Sequence, residues 1–360
     1  MFFSISQKTD NRFPNNFRID EDVWFNCDNG WDQNDKCFAK GYQDSAGHGN
    51  FTKVEFDQTI GLIHDITRSY PLYWDDKLKI LTNLGNIKFT NCELLHNDRC
   101  VEIEDWQLKS NYTLPYNVPT TEISLQTAIT EIRKILISKT SFLKDSDITP
   151  KLFFTGGVDT GLLMALLNHE NIQYDLVDYE FFAYDEFTRK NIGYIRKNYW
   201  GYTQIHHWKE PSILISGAPG DEYLFRGPAA ISLYSKFYDI DIINQLHTNH
   251  YHHDYFLKDK NMQIFRNPSK TFDSEYSLKK YLLDVNVNDF QHWHIGNTLT
   301  WTPFKDIRIS EIMLQLNATD LLGQFLNAEI TFELIKSFDA SLIKFISPQK
   351  NSTYSTTYTY

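Results

Sequence analysis

The residues of this chain best suited to chemistry lie in one short run, Phe153, Phe154, Thr155, Gly156, Gly157, Val158, Asp159 and Thr160. A glycine pair directly after an apolar strand lets the backbone turn sharply and aim successive amides into one space. A helix beginning there adds its positive end, so an anion fits. Thr155 and Thr160 bring hydroxyl donors for phosphate oxygens, and Asp159 brings a hard carboxylate of the kind Mg²⁺ accepts. A second carboxylate, Asp221, ends the turn that follows Ser216 and Gly217. At the end of a neighbouring parallel strand it would point into the same crevice. Two readings compete with these: a plain strand-to-helix turn at 155–157, and an acidic surface turn at Asp221.

Such a site needs strands and helices in alternation, and the sequence supplies them. From Ser124 onward, Leu125, Ala128, Ile129, Ile132, Ile135 and Leu136 recur at helical spacing. Lys151–Phe154 reads as a short strand, and Leu162, Leu163, Leu166 and Leu167 fall on a helical period after it. A strand at Tyr174–Phe181, a helix at about 185–199 and a strand at Ile213–Ser216 follow, which points to a parallel sheet covered on both faces. Residues 229 to about 342 read as mostly helical. Residues 1–118 instead show short aromatic and β-branched stretches divided by Asn, Asp and Gly, such as Lys53–Asp57, Thr59–Ile66, Pro71–Trp74 and Lys77–Asn83, the spacing of an antiparallel β domain. A polar passage with Pro115 and Pro119 makes the linker, so the expected domains are 1–118 and 119–360.

The whole chain, 360 residues, is long enough for two domains, and its 41% hydrophobic and 15% aromatic content supplies a core and argues against disorder. A net charge of -11 with no block of Lys or Arg makes nucleic acid a poor partner. The four cysteines form no CxxC pair and read as free thiols. No apolar run approaches the roughly 20 residues that cross a bilayer, and the N-terminus lacks a signal pattern. The expectation is a cytoplasmic protein with no membrane partner. The aromatic excess is read as core rather than as a base-stacking surface. His247, His250, His252, His253 and Asp254 could hold zinc if helical, yet solvated or stacking histidines explain them as well. His206, His207, His292 and His294 flank the active-site segments and could serve as acids or bases, or as structural histidines.

Read in full, FFTGGVDTGLL resembles the loop of the ATP pyrophosphatase superfamily, SGGxDS between a strand and a helix. It is not a Walker loop, because no Gly-Lys pair precedes a Ser or Thr. The resemblance to the asparagine synthetase and β-lactam synthetase family extends over the C-terminal two thirds. SGAPGDEYLFRG, residues 216–227, looks like SGEGADELFGG; TWTPFKD, residues 300–306, resembles ARVPFLD; Ser347, Pro348, Gln349 and Lys350 are similar to a stretch whose lysine neutralises departing pyrophosphate. The resemblance implies an adenine nucleotide α-hydrolase-like fold preceded by a β sandwich, with ATP cleaved to AMP and pyrophosphate. It implies Mg²⁺ on Asp159 and Asp221, nucleotide contacts from Phe154, Thr155, Gly156, Gly157, Val158, Asp159, Thr160, Ser216 and Gly217, and catalytic roles for Lys350, Asp221 and Glu222.

The pattern breaks in three places. Leu299 stands where asparagine synthetase carries a glutamate, and Ala218 stands where the family has a glutamate or tyrosine. Neither side chain can take a proton, so the usual general base is missing. Near the N-terminus, RSYPLYW, residues 68–74, looks like part of a glutaminase domain whose nucleophile is an N-terminal cysteine, but Phe2 follows Met1. The expected function is an AMP-forming, amide-making ligase without glutaminase activity, acting on a small carboxylate and an amine. A base-modifying ATP pyrophosphatase and a non-catalytic nucleotide- or partner-binding relative are the alternatives.

Overall fold

The computed structural model describes residues 2–44, 48–65, 72–83, 92–95, 98–112, 116–154, 157–177, 210–226, 234, 237–238, 272–287 and 297–346. The N-terminal part is built of β1 (Phe3–Ser6), β2 (Asn15–Asp20), β3 (Val23–Cys27), β4 (Asp32–Asn34), β5 (Cys37–Gln43), β6 (Gly49–Phe56), β7 (Ile60–His64), β8 (Leu72–Asp75), β9 (Ile80–Thr82), β10 (Cys92–Leu95), β11 (Asp98–Glu104) and β12 (Gln107–Tyr112). They form two sheets of order β10-β8-β9-β1-β3-β2 and β12-β11-β7-β6-β5-β4. Among the described residues every pairing in them is antiparallel. Phe3, Ile5 and Phe25 from one sheet and Phe38, Val54 and Leu62 from the other share one core. The period of two explains how. Along β5 alternate residues are buried, which sends Phe38 into that core, Lys40 onto Asp28 at 3.1 Å, and Tyr42 toward the second domain.

The second domain holds a sheet of a different kind. β13 (Lys151–Phe153), β14 (Asp175–Val177), β15 (Ser212–Ile215) and β16 (Thr298–Trp301) lie in the order β14-β13-β15-β16, all parallel. Among the described residues it has the helices α1 (Leu125–Lys139), α2 (Ser141–Lys144), α3 (Val158–His169), α4 (Gly220–Tyr223), α5 (Glu275–Val287), α6 (Ile307–Met313), α7 (Ala318–Asn327) and α8 (Glu329–Asp339), with a 3-10 turn at Ala340–Phe345. Ser124 caps α1 by accepting from the Thr127 amide, and Ala128, Ile129, Ile132 and Leu136 form its buried stripe.

The sequence expectations and the structure part company at β16, which falls in the stretch read as helical. Four residues are too few to display a period, and β16 exists because it pairs residue for residue with β15. The Gly217–Asp221 turn also tightens into a helical turn, α4. The helix expected at 185–199 lies outside the described residues, as do residues 178–181 of the strand expected at Tyr174–Phe181. Among the described residues, no helix is long and apolar enough to cross a membrane.

Candidate functional site

From β13 the chain passes to β14 on one side and then to β15 on the other. The direction of winding therefore reverses between β13 and β15, and a crevice opens beyond their carboxyl ends at such a point. Both candidate carboxylates are set there by the elements that follow these two strands. Asp159 sits in the first turn of α3, whose N-cap is Gly157, a residue with no side chain to close the helix end. Asp221 sits in α4, six residues beyond the end of β15.

A residue to which the sequence reading gave no role joins them. The Arg226 guanidinium places Nη1 2.6 Å from Asp159 Oδ1 and Nη2 3.1 Å from Asp221 Oδ1. Local backbone geometry sends it there. The Arg226 amide donates to the Asp221 carbonyl and the Phe225 amide to the Glu222 carbonyl, the crossed pair of bonds that ends a helix in a left-handed residue. That residue is Phe225, at φ 53°, where glycine is usual. Its ring is buried in the core, so apolar packing offsets about 1–2 kcal/mol of left-handed strain. The sequence signal was a lone arginine directly after the apolar Tyr223, Leu224 and Phe225: a cation carried into a core must find carboxylates.

The electrostatics follow from burial. Arg226 is only 2% exposed, Asp159 19% and Asp221 50%. Burial pushes the Asp159 carboxyl up, Arg226 opposes the rise and the charge of Asp221 adds to it, leaving it at about 7. The Arg226 guanidinium is held charged: burial works against it, and Asp159 and then Asp221 outweigh that cost.

Two glycines make this approach possible. A Cβ on Gly220 would lie 2.8 Å from Asp159 Cγ, and one on Gly217 would lie 3.0 Å from Thr160 Cγ2. The loop after β15 therefore rests directly on the first turn of α3. Ser216 is buried, donating its amide to the Trp301 carbonyl at 3.0 Å and accepting the Ala218 amide at its hydroxyl at 3.3 Å.

The other expected residues are placed as follows. The Thr160 hydroxyl donates back to the Gly157 carbonyl at 3.2 Å, a local bond within the helix start. Val158 is core, and Phe154 packs on that core half-buried. The Glu222 side chain adds its charge near Arg226, and its carbonyl accepts from Asn286 Nδ2 at 3.4 Å. Leu299 packs against the core. Thr155, Gly156 and Lys350 lie outside the described residues, as do His206, His207, His292, His294 and the 247–254 cluster. In the N-terminal domain the Phe2 ring is fully buried and its amide donates to Asp28 Oδ1 at 3.0 Å.

Among the described residues, no group of three or more His, Cys, Asp or Glu is placed to hold a metal. Two converging carboxylates still suit Mg²⁺ when phosphate oxygens and water complete its octahedron. Arg226 is their counter-ion here, paired with one oxygen of each, so an entering cation would compete with it for their charge. No protein-family model matches this chain, and no curated protein does either.

Proposed function

We propose that this chain is a cytoplasmic, AMP-forming ligase: an ATP pyrophosphatase-type domain that adenylates a small carboxylate and passes the acyl group to an amine, behind a glutaminase-like sandwich. One observation carries the reading. Asp159 and Asp221, 62 positions apart in the sequence, meet on a single guanidinium at the winding reversal of a parallel sheet. The amino end of α3, capped at Gly157, would face the phosphates there. Asp159 and Asp221 would hold Mg²⁺, which supplies charge neutralisation across the phosphates. Arg226 offers a second cation for the negative charge that builds as pyrophosphate leaves, and Lys350 a third. A substrate carboxylate oxygen attacks the α-phosphorus, the bond to the β-phosphate oxygen breaks, and the amine then displaces AMP from the acyl carbon. Ala218 and Leu299 offer no base, so a nucleophile that is already unprotonated suits the pocket best.

Exchange of labelled pyrophosphate into ATP, run with Mg²⁺ over a panel of carboxylic acids, tests this. At least one acid should support exchange, and Asp159→Asn or Asp221→Asn should reduce it by about a hundredfold or more. Tight ATP binding with no exchange from any acid would instead favour a non-catalytic nucleotide-binding relative. Arg226 gives that second reading its footing, because it already pairs with both carboxylates.

A further inference from the structure

The N-terminal domain meets the second domain at the carboxyl end of the parallel sheet, the end from which the segments carrying Asp159 and Asp221 lead. β16 ends at Trp301, and the next residue, Thr302, is gripped from two directions. Its amide donates to Tyr42 Oη at 3.1 Å, and Tyr42 Oη donates to its carbonyl at 3.3 Å. Asn50 Nδ2 donates to the same phenol oxygen at 3.3 Å, which uses the full hydrogen-bonding capacity of a tyrosine hydroxyl. The Tyr42 ring stacks on Phe142 of α2 with centroids 4.9 Å apart. On its other side, Thr302 donates its hydroxyl to the carbonyl of Ala218. Ala218 belongs to the loop that rests on Asp159 and carries Asp221.

Two residues beyond Tyr42, Asp44 enters a buried charge cluster. Lys139 lies 3.2 Å from Asp44 and 2.8 Å from Asp306, and Arg308 lies 3.3 Å and 2.6 Å from the same two. The cluster clamps the β5 end against this one end of the sheet, which keeps the phenol of Tyr42 on Thr302.

We propose that Tyr42 of the N-terminal domain is a positioning residue for the candidate site, setting the 216–221 loop, and with it Asp221, through Thr302 and Ala218. As a statement about catalysis it rests on the ligase reading; as a statement about the loop it stands on the hydrogen bonds alone. The β-sandwich is then a working part of the site rather than a silent attachment. Its contribution is geometric: it touches no phosphate and fixes the residues that would.

Amide hydrogen exchange on the full chain, read over peptides spanning 216–226, tests the link. Tyr42→Phe keeps the ring stack and removes the hydroxyl. Thr302→Val removes the second bond, and Thr302→Ser restores it. Tyr42→Phe and Thr302→Val should each speed loop exchange about tenfold, the double variant should be no faster than the faster single, and Thr302→Ser should match the wild type. The proposal is overturned if Tyr42→Phe leaves the loop within about twofold of wild type. It is equally overturned if exchange quickens evenly across α1 and α3, the sign of general loosening. Titration of the same proteins with Mg·ATP separates the two claims. Weaker binding by Tyr42→Phe supports the catalytic consequence, whereas a wild-type protein that ignores Mg·ATP removes the ligase reading and leaves the exchange result to judge the loop.

Discussion

Arg226 decides how the two acidic residues behave. A buried cation between two carboxylates is costly to assemble, and costlier to break by removing one member than to replace as a set. Arg226→Gln leaves Asp159 and Asp221 facing each other with no positive charge between them. We expect that variant to melt below the wild type in EDTA and to regain about 1–3 kcal/mol on adding Mg²⁺ at ten to a hundred times its dissociation constant. The wild type should respond less, because its own guanidinium competes for the same oxygens. Paired thermal melts with EDTA and with MgCl₂ decide it, and a variant blind to Mg²⁺ would remove the divalent-cation role from these carboxylates. Asp159 and Asp221 were legible in the sequence from a motif and its distance from strand ends. Arg226 was not, because the length of the α4 turn and the left-handed Phe225 decide where its side chain goes.

The loop after β15 and the start of α3 are fitted to each other by the absence of side chains. Gly220 is in a helical turn, where alanine is intrinsically favoured over glycine by about 1 kcal/mol. In Gly220→Ala that gain offsets only part of the cost, because the methyl would sit 2.8 Å from Asp159 Cγ and push the carboxylate away from Arg226. The expected outcome is a circular dichroism melt lowered less than that of Arg226→Gln, with a clear loss of Mg·ATP affinity; an unchanged affinity would show that the close packing serves the loop and not the site. At this scale the sequence was informative for β13, α1 and α3, whose apolar spacing is long or sharply bounded. It left Thr298–Trp301 unmarked inside a stretch read as mostly helical, because those residues carry no period of their own and become a strand only beside β15.

The domains are joined by charge as well as by apolar contact. Lys139 continues the stripe of α1 that buries Ala128, Ile132 and Leu136, so an apolar face ends in an ammonium. Asp44 from one domain and Asp306 from the other answer it. Burial alone would raise the Asp306 carboxyl, but the Arg308 hydrogen bond and the Lys139 charge prevail and hold it well below its ordinary 3.8. Asp44 is lowered as well, burial being outweighed first by Lys139. In the window between the folded and unfolded values the unfolded chain binds more protons, so stability rises with pH there. The contribution is complete above about pH 4 and drains away as pH falls further toward the folded value. Denaturant midpoints followed from about pH 5 to about pH 3 should drop for the wild type and drop less for Asp306→Asn, which has no such proton to take up. Equal slopes would mean that the domain junction does not depend on this charge.

Composition, charge and the spacing of apolar residues by themselves determined that this chain holds an antiparallel β part followed by an α/β part, and that two acidic residues follow apolar strands. Those properties are local or cumulative, and each is complete in a window of a few to some twenty residues. Only the tertiary structure decided that Arg226 stands between Asp159 and Asp221, that Thr302 links Tyr42 to Ala218, and that Lys139 is buried between two domains. Each of these joins residues set far apart by the chain or aimed by one unusual backbone angle, and such meetings depend on strand order and close packing, which no short window of sequence contains.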